Sequence, residues 1–118
     1  MRILRSFIYA WSGLRYSFKT QLNFRIHLAI LLLVIVAGTL LKINVTEWLF
    51  VVLCSMLVLM LELVNTALEY LCDIVTTDFH PIVKIVKDIA AAAVLISAAG
   101  SVITGLIIFL PKIIALFI

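Results

Sequence analysis

The chain has 118 residues, 66% of them hydrophobic and 13% charged, against roughly 45–50% and about 25% in an ordinary soluble domain. A chain this short cannot hide so much apolar surface in one core, which excludes a water-soluble globular domain and makes lipid the solvent for much of it. Nine Lys and Arg against six Asp and Glu leave a net charge of +3, and the placement of these charges speaks for a membrane surface and against nucleic acid.

Residues 1–25 carry Arg2, Arg5, Arg15, Lys19 and Arg25 without one acid, interleaved with Phe7, Tyr9, Trp11, Tyr16, Phe18 and Phe24. Cations and rings in this mixture predict an amphipathic helix lying on the membrane, its aromatics at headgroup level. The compact apolar stretch and small-residue cleavage site of a signal peptide are missing, so the segment is expected to stay in the mature protein.

Three apolar stretches follow. Leu28 to Leu41 is uncharged for 14 residues, short of the roughly 20 that a hydrocarbon core about 30 Å thick requires. Arg25, His27 and Lys42 can turn their polar ends outward, which predicts a span of about 26–43. His27, beside that span, reads as an interfacial hydrogen-bonder and not as a ligand. The second stretch, about 48–72, starts at Trp48, runs uncharged to Leu61 and is then interrupted by Glu62, Asn65 and Glu69. The third, 89–110, has 22 uncharged residues, and Pro111 and Lys112 are expected to close it. Ala93, Ser97, Ser101 and Gly105 form a small-residue stripe on it that predicts close packing against another helix.

The positive-inside rule sets Arg2, Arg5, Arg15, Lys19, Arg25, Lys84 and Lys87 against Lys42 and Lys112, which puts the N-terminus and the 73–88 loop in the cytoplasm. The chain reads as a single domain over 1–118. Cys54 and Cys72, without metal-ligand spacing, read as small apolar residues.

The second span carries the informative polar residues. At 100° per residue Glu62, Asn65, Glu69 and Asp73 fall within an arc of about 80°, giving one acidic helix face, and a carboxylate in a membrane is a functional candidate by default. Lys84 and Lys87 share a face of the next helix, and a hairpin through 75–81 brings the two faces together. An ion-pair network is one reading of this arrangement. The other is a site for an oxygen-loving divalent cation, because Glu62, Glu69, Asp73, Asp78 and Asp88 outnumber the lysines, which are then free for phosphate. No P-loop or protein-kinase signature is present.

The stretch Glu62-Leu-Val-Asn65-Thr-Ala-Leu-Glu69-Tyr-Leu-Cys-Asp73, followed by Asp78-Phe-His80 and Lys87-Asp88-Ile-Ala-Ala-Ala-Ala-Val94, resembles the signature of the prokaryotic diacylglycerol kinase and undecaprenol kinase family. Tyr9-Ala-Trp11-Ser-Gly13-Leu-Arg15 and Asn23-Phe24-Arg25 extend the likeness along almost the whole chain. The resemblance implies an all-α membrane protein with a surface helix and three transmembrane helices per subunit. It also implies a homotrimer with sites shared between subunits, in the bacterial cytoplasmic (inner) membrane, moving the γ-phosphate of ATP, with Mg²⁺, to a lipid alcohol on the cytoplasmic side.

Carried over residue by residue, the resemblance implies that Glu62 is the catalytic base toward the lipid hydroxyl and that Asn65 orients it. Glu69 becomes a Mg²⁺ ligand. Arg2, Tyr9, Asp73, Asp78, His80, Lys87 and Asp88 fall at nucleotide positions, and Asn23, Arg25, Trp48 and Ala91 at lipid positions. Where the family places a second metal-binding Glu on the surface helix, this sequence has Gln21, whose amide oxygen can coordinate a metal but brings no charge. Ala91 stands where one diacylglycerol kinase branch carries Ser, and the His80-Pro81 and Lys87-Asp-Ile-Ala-Ala pattern lies nearer the undecaprenol branch. Two other classes fit the composition: a small transporter or ion-pathway protein, and an inactive structural relative of the kinases. A transporter would want polar residues at both ends of the helices, whereas here they crowd one end.

Overall fold

A computed structural model describes residues 1–118 as four helices and no strand: α1 (Arg2–Thr20), α2 (Leu22–Leu40), α3 (Val45–Val75) and α4 (Pro81–Ala115). The all-α expectation is borne out, and α2, α3 and α4 are each long and apolar enough to cross a membrane. Only 13 of the 118 residues are buried within the chain, so most of the apolar surface of the helices is left uncovered by the chain itself.

The surface helix α1 is strongly amphipathic. It ends at Thr20, five residues before the expected boundary at 25, because Gln21 adopts an extended conformation (φ −109°, ψ 109°). The Thr20 hydroxyl donates to the Tyr16 carbonyl at 2.8 Å and the Gln21 N–H to Ser17 at 2.8 Å, closing the last turn. Asn23 and Arg25 therefore belong to α2, which starts at Leu22.

α2 stops at Leu40 and Lys42 takes a left-handed conformation, φ 53°. Ile43 N–H bonds to the Gly38 carbonyl at 3.1 Å and Lys42 N–H to Thr39 at 3.3 Å, the paired bonds of a Schellman stop. Ile43, 6% exposed, folds back over Gly38, and Trp48 covers the same glycine. A Cβ at Gly38 would sit 2.8 Å from the Trp48 ring and 3.0 Å from Ile43 Cδ1.

α3 begins with a capping box: the Asn44 side chain accepts from Glu47 N–H, and Glu47 accepts from Asn44 N–H, both at 2.9 Å. Its 31 residues make a rod of about 46 Å at 1.5 Å per residue, longer than a hydrocarbon core of about 30 Å, and Glu62, Glu69 and Asp73 lie in the half nearest α4 in sequence. After a short turn, α4 starts at Pro81 with His80 as its cap, Nδ1 accepting from Ile82 N–H at 3.2 Å. Pro111 does not close this helix. α4 runs through it to Ala115, since a proline near a helix end removes a single backbone bond while its fixed φ remains helical.

α3 and α4 form the most closely packed pair, with α2 against α3. The buried cluster Ile43, Val51 and Ile108 lies at the end of the bundle bearing the 41–44 turn. There Lys112 Nζ bonds Glu47 Oε1 at 3.1 Å and ties α4 to the start of α3. Of the small-residue stripe, Ser97 is buried and Ala93, Ser101 and Gly105 are half-buried. Ser101 and Gly105 line a cavity between α2, α3 and α4, and Gly105 has no neighbour within 4 Å of the place a Cβ would occupy.

Candidate functional site

The acidic face of α3 is present as the spacing requires, and the packing of α2 and α4 divides it into an inner and an outer part. Glu62, Asn65 and Thr66 are buried at 3%, 8% and 6% exposure, one helical turn beyond the buried Val58. Glu69 and Asp73, further along the rod, are exposed. Asn65 Nδ2 donates to Glu69 Oε1 at 3.3 Å, the i,i+4 relation of one helix face. Asn65 Oδ1 is buried and has no hydrogen-bond partner. A buried amide oxygen left unpaired is costly in a folded protein, and such an atom beside a carboxylate is a receptive position for a cation or for a donor on a ligand.

Opposite, Lys87 of α4 donates to Asp73 Oδ1 at 2.8 Å, the ion pair that the hairpin predicts. Lys84 does not join it. It pairs with Asp88 one turn along its own helix, and both side chains are 61% exposed. Asp78 sits in the α3–α4 turn, where its N–H bonds the Thr76 hydroxyl at 3.1 Å. The surplus of acid therefore does not converge: no group of three or more His, Cys, Asp or Glu in one subunit is placed to hold a metal ion.

The α1–α2 junction reaches the same end of the bundle. The Tyr16 hydroxyl donates to that of Tyr70, the residue after Glu69, at 2.8 Å with ring centroids 5.9 Å apart. Gln21 is half-buried at the break between the two helices and donates to the Thr20 hydroxyl at 3.4 Å. Arg2, Tyr9, Asn23 and Arg25 are exposed and enter no ion pair of the subunit. Ala91 is exposed on α4. Trp48 lies 14 residues from Glu62 along α3, about 21 Å at helical rise, and is packed over Gly38. One subunit thus gathers Glu62, Asn65 and Glu69, with Asp73 and Lys87 beside them, and leaves Trp48 at the opposite end.

A neighbour missed by sequence reasoning is His27. From α2 its Nε2 stands 3.9 Å from Glu62 Oε2, with the two side chains 21% and 4% exposed. α2 is apolar nearly all round, so its sequence carries no periodicity saying which side meets α3, and the only local signal was a polar residue at a span end.

The family model for prokaryotic diacylglycerol kinase matches residues 8–109. Among its relatives, a diacylglycerol kinase of Synechocystis is 44% identical over 117 residues, covering 98% of this chain and 67% of that protein. An undecaprenol kinase of Bacillus subtilis is 40% identical over 111 residues, 94% of this chain and 90% of the relative. A diacylglycerol kinase of Escherichia coli is 31% identical over 107 residues, 91% and 88% of the two chains. The matched region takes in the α1–α2 break, the whole acidic face of α3 and the Lys87 side of α4, and with it the chain belongs to the prokaryotic diacylglycerol kinase family.

Proposed function

We propose that the protein is a membrane lipid kinase that transfers the γ-phosphoryl group of ATP to the hydroxyl of a lipid alcohol. The single observation that carries this reading is a buried carboxylate, Glu62, on the same helix face as a polar pair, Asn65 and Glu69, that leads out to Lys87 and Asp73. An acceptor held in lipid and a donor held in water have to meet at such a boundary.

In this reading Glu62 accepts the proton of the lipid hydroxyl, whose oxygen attacks the γ-phosphorus while the bond to the β–γ bridging oxygen breaks. Asn65 orients the carboxylate and the incoming phosphate. Lys87 leaves Asp73 to neutralise phosphate charge, while Asp88, Asp78, His80, Arg2 and Tyr9 complete the nucleotide site. Asn23, Arg25 and Ala91 meet the lipid, while Trp48, packed over Gly38 at the other end of α3, lies too far from Glu62 to meet the reacting hydroxyl and is left the tail of the lipid at most.

Mg²⁺ fits the donor set, since Glu69 and the amide oxygens of Asn65 and Gln21 are hard oxygen donors and one Asn65 oxygen is without a partner. Glu69 and Gln21 would hold the ion, which supplies charge neutralisation on the phosphates. Mg²⁺ ordinarily takes one or two protein carboxylates and completes its shell with substrate phosphates and water, consistent with the sparse set in one subunit.

We extend the proposal to a homotrimer with shared sites, which the same incompleteness supports. The nucleotide positions Arg2 and Tyr9 are exposed and few residues are buried within one subunit, so sites completed between neighbours account for both. The excess of Lys and Arg at the Glu69 end supports a cytoplasmic active site in the bacterial inner membrane. Between the two lipids, the His80-Pro81 and Lys87-Asp88-Ile89-Ala90-Ala91 pattern favours undecaprenol over diacylglycerol.

The test is MgATP-dependent phosphorylation of undecaprenol and of diacylglycerol, side by side, by the purified protein in detergent micelles, with Glu62→Gln as control. Turnover on one lipid, abolished by the substitution, is the expected result. Undiminished turnover in Glu62→Gln overturns the assignment of the base, and absence of ATP binding overturns the kinase.

A further inference from the structure

Glu62 is the most deeply buried ionisable side chain in the subunit, and its surroundings offer it little. Asn65 donates one amide hydrogen to Glu69, and in the unliganded protein no donor of the subunit hydrogen-bonds to the Glu62 carboxylate. The only basic group within 4 Å is His27, at 3.9 Å. The imidazole is turned inward: His27 lines, with Ile30, Leu31, Val58 and Leu59, the end of an apolar cavity of about 270 Å³ between α2, α3 and α4. It stands between the buried carboxylate and that cavity.

A carboxylate removed from water is strongly disfavoured unless another group compensates it. Lipid on one side and apolar helix faces on the other leave the ring of His27 as the compensating group. The present separation exceeds the 2.7–3.2 Å of an N–H···O bond, and catalytic hydrogen bonds are often long in the absence of substrate and tighten only when it is bound.

We propose that His27 is a positioning residue for phosphoryl transfer: its Nε2–H donates to Glu62 Oε2, keeps the carboxylate in its charged, proton-accepting form, and fixes which oxygen is presented to the lipid hydroxyl. The assignment rests on Glu62 being the base. It makes the joint between α2 and α3 a functional contact and gives the α2 span a part in the reaction.

The test compares His27→Leu, which removes the donor, with His27→Gln, which keeps an N–H, in the full-length protein in micelles with whichever of diacylglycerol or undecaprenol the wild type phosphorylates. His27→Leu should lower kcat roughly 10- to 100-fold, the cost of a misplaced reactive group, with KM for ATP unchanged, and His27→Gln should recover most of the loss. In His27→Ala, added imidazole should restore turnover, a response that loss of packing alone does not give, and this variant serves if His27→Leu does not fold. Wild-type kcat in His27→Leu overturns the inference. So does equal loss in the Leu and Gln variants when both keep native helicity and assembly, or an Ala variant indifferent to imidazole. Glu62→Gln run in parallel separates the two levels: if it still turns over, the base assignment fails and the role of His27 with it. If it is silent while His27→Leu is unaffected, only the role of His27 fails.

Discussion

Tyr16 of the surface helix and Tyr70 of α3 join their hydroxyls at 2.8 Å, and this bond fastens α1 to the membrane helix at the residue next to Glu69. The buried Ser17 and Thr66 lie beside it, both 6% exposed, in a groove lined by small residues of the two helices, Ala10, Gly13 and Ala67 among them. Because the chain turns at Gln21, the orientation of α1 is set by this contact and by the buried Phe24 just past the break. The proposed contributions of Arg2 and Tyr9 on α1, and of Gln21 at the break, depend on that orientation.

Replacing Tyr16 or Tyr70 by Phe should loosen α1 without unfolding the bundle. Hydrogen exchange of the α1 amides should accelerate in either variant while that of central α3 amides stays unchanged, and the double variant should be no looser than each single one, since both remove the same bond. The bond holds the Tyr16 hydroxyl above its ordinary range, so its contribution is full below pH about 10 and is lost only as pH rises through the raised value. Protection of α1 should therefore be flat across neutral pH. Additive loosening in the double variant would show that the hydroxyls act separately.

The Asp73–Lys87 pair separates a structural cation from a working one. If Lys87 serves only to pair with Asp73, the swapped double variant Asp73→Lys, Lys87→Asp restores function. If Lys87 also meets phosphate, the swap leaves the enzyme as inactive as Lys87→Ala. The second outcome is expected, with kcat down by 100-fold or more, on the order of removing one electrostatic contact to a transition state. An exposed pair contributes little to stability, so both variants should keep native helicity. A swap with near wild-type turnover would reduce Lys87 to a structural residue.

What the sequence made legible is what one helix can express by itself. The spans follow from uncharged runs, and the acidic face follows from the spacing of Glu62, Asn65, Glu69 and Asp73, which no tertiary contact is needed to establish. The pairing of Asp73 with Lys87 was half legible, because a short turn forces α3 and α4 to be antiparallel neighbours, and the i,i+4 spacing of Lys84 and Asp88 was the available signal that Lys84 has a partner on its own helix. The break at Gln21 was hidden because Thr20 to Arg25 contain neither Gly nor Pro. The residues that flank it, Ser17 on one side and Phe24 on the other, are both buried, a tertiary relation that local sequence does not express. Lys42 in a left-handed conformation is hidden for a similar reason, since such a stop ordinarily carries Gly or Asn. His27 beside Glu62 depends on how α2 is rotated about its own axis, which an evenly apolar helix does not encode.

Gly38 is the one glycine that the packing requires. Adding a methyl group there drives it into the Trp48 ring at 2.8 Å, with Ile43 Cδ1 at 3.0 Å; the end of the Ile43 side chain can shift only within the buried cluster it belongs to, and the rigid indole packed against that cluster cannot turn aside. Gly38→Ala should destabilise the helical bundle by about 1–3 kcal/mol, the usual cost of overpacking, measured as the midpoint of denaturing-detergent unfolding, and should shift the Trp48 fluorescence. Gly38→Ala combined with Trp48→Phe should recover part of the loss. Gly105→Ala, where a Cβ meets nothing within 4 Å of the same subunit, is the internal control. Its Cβ would enter the cavity between α2, α3 and α4, so the midpoint should stay at the wild-type value.

Gln21 tests the metal assignment by a gain and not by a loss. The residue sits half-buried at the α1–α2 break, with its amide engaged only by the Thr20 hydroxyl at 3.4 Å, so a carboxylate there displaces no important contact. Glu has nearly the same shape and adds the negative charge that an amide oxygen lacks, and charge count is the main lever on affinity for a hard divalent cation. Titrating Mg²⁺ at fixed ATP should therefore give a lower half-saturating concentration for Gln21→Glu than for wild type, with the same helicity and assembly. The Glu69→Gln background supplies the complementary measurement: removal of the remaining carboxylate should raise the Mg²⁺ requirement in wild type, and Gln21→Glu should partly offset it, because the two side chains are proposed to serve one ion. An unchanged half-saturating concentration in Gln21→Glu would take Gln21 out of the metal site and leave Glu69 to act with the substrate phosphates and water alone.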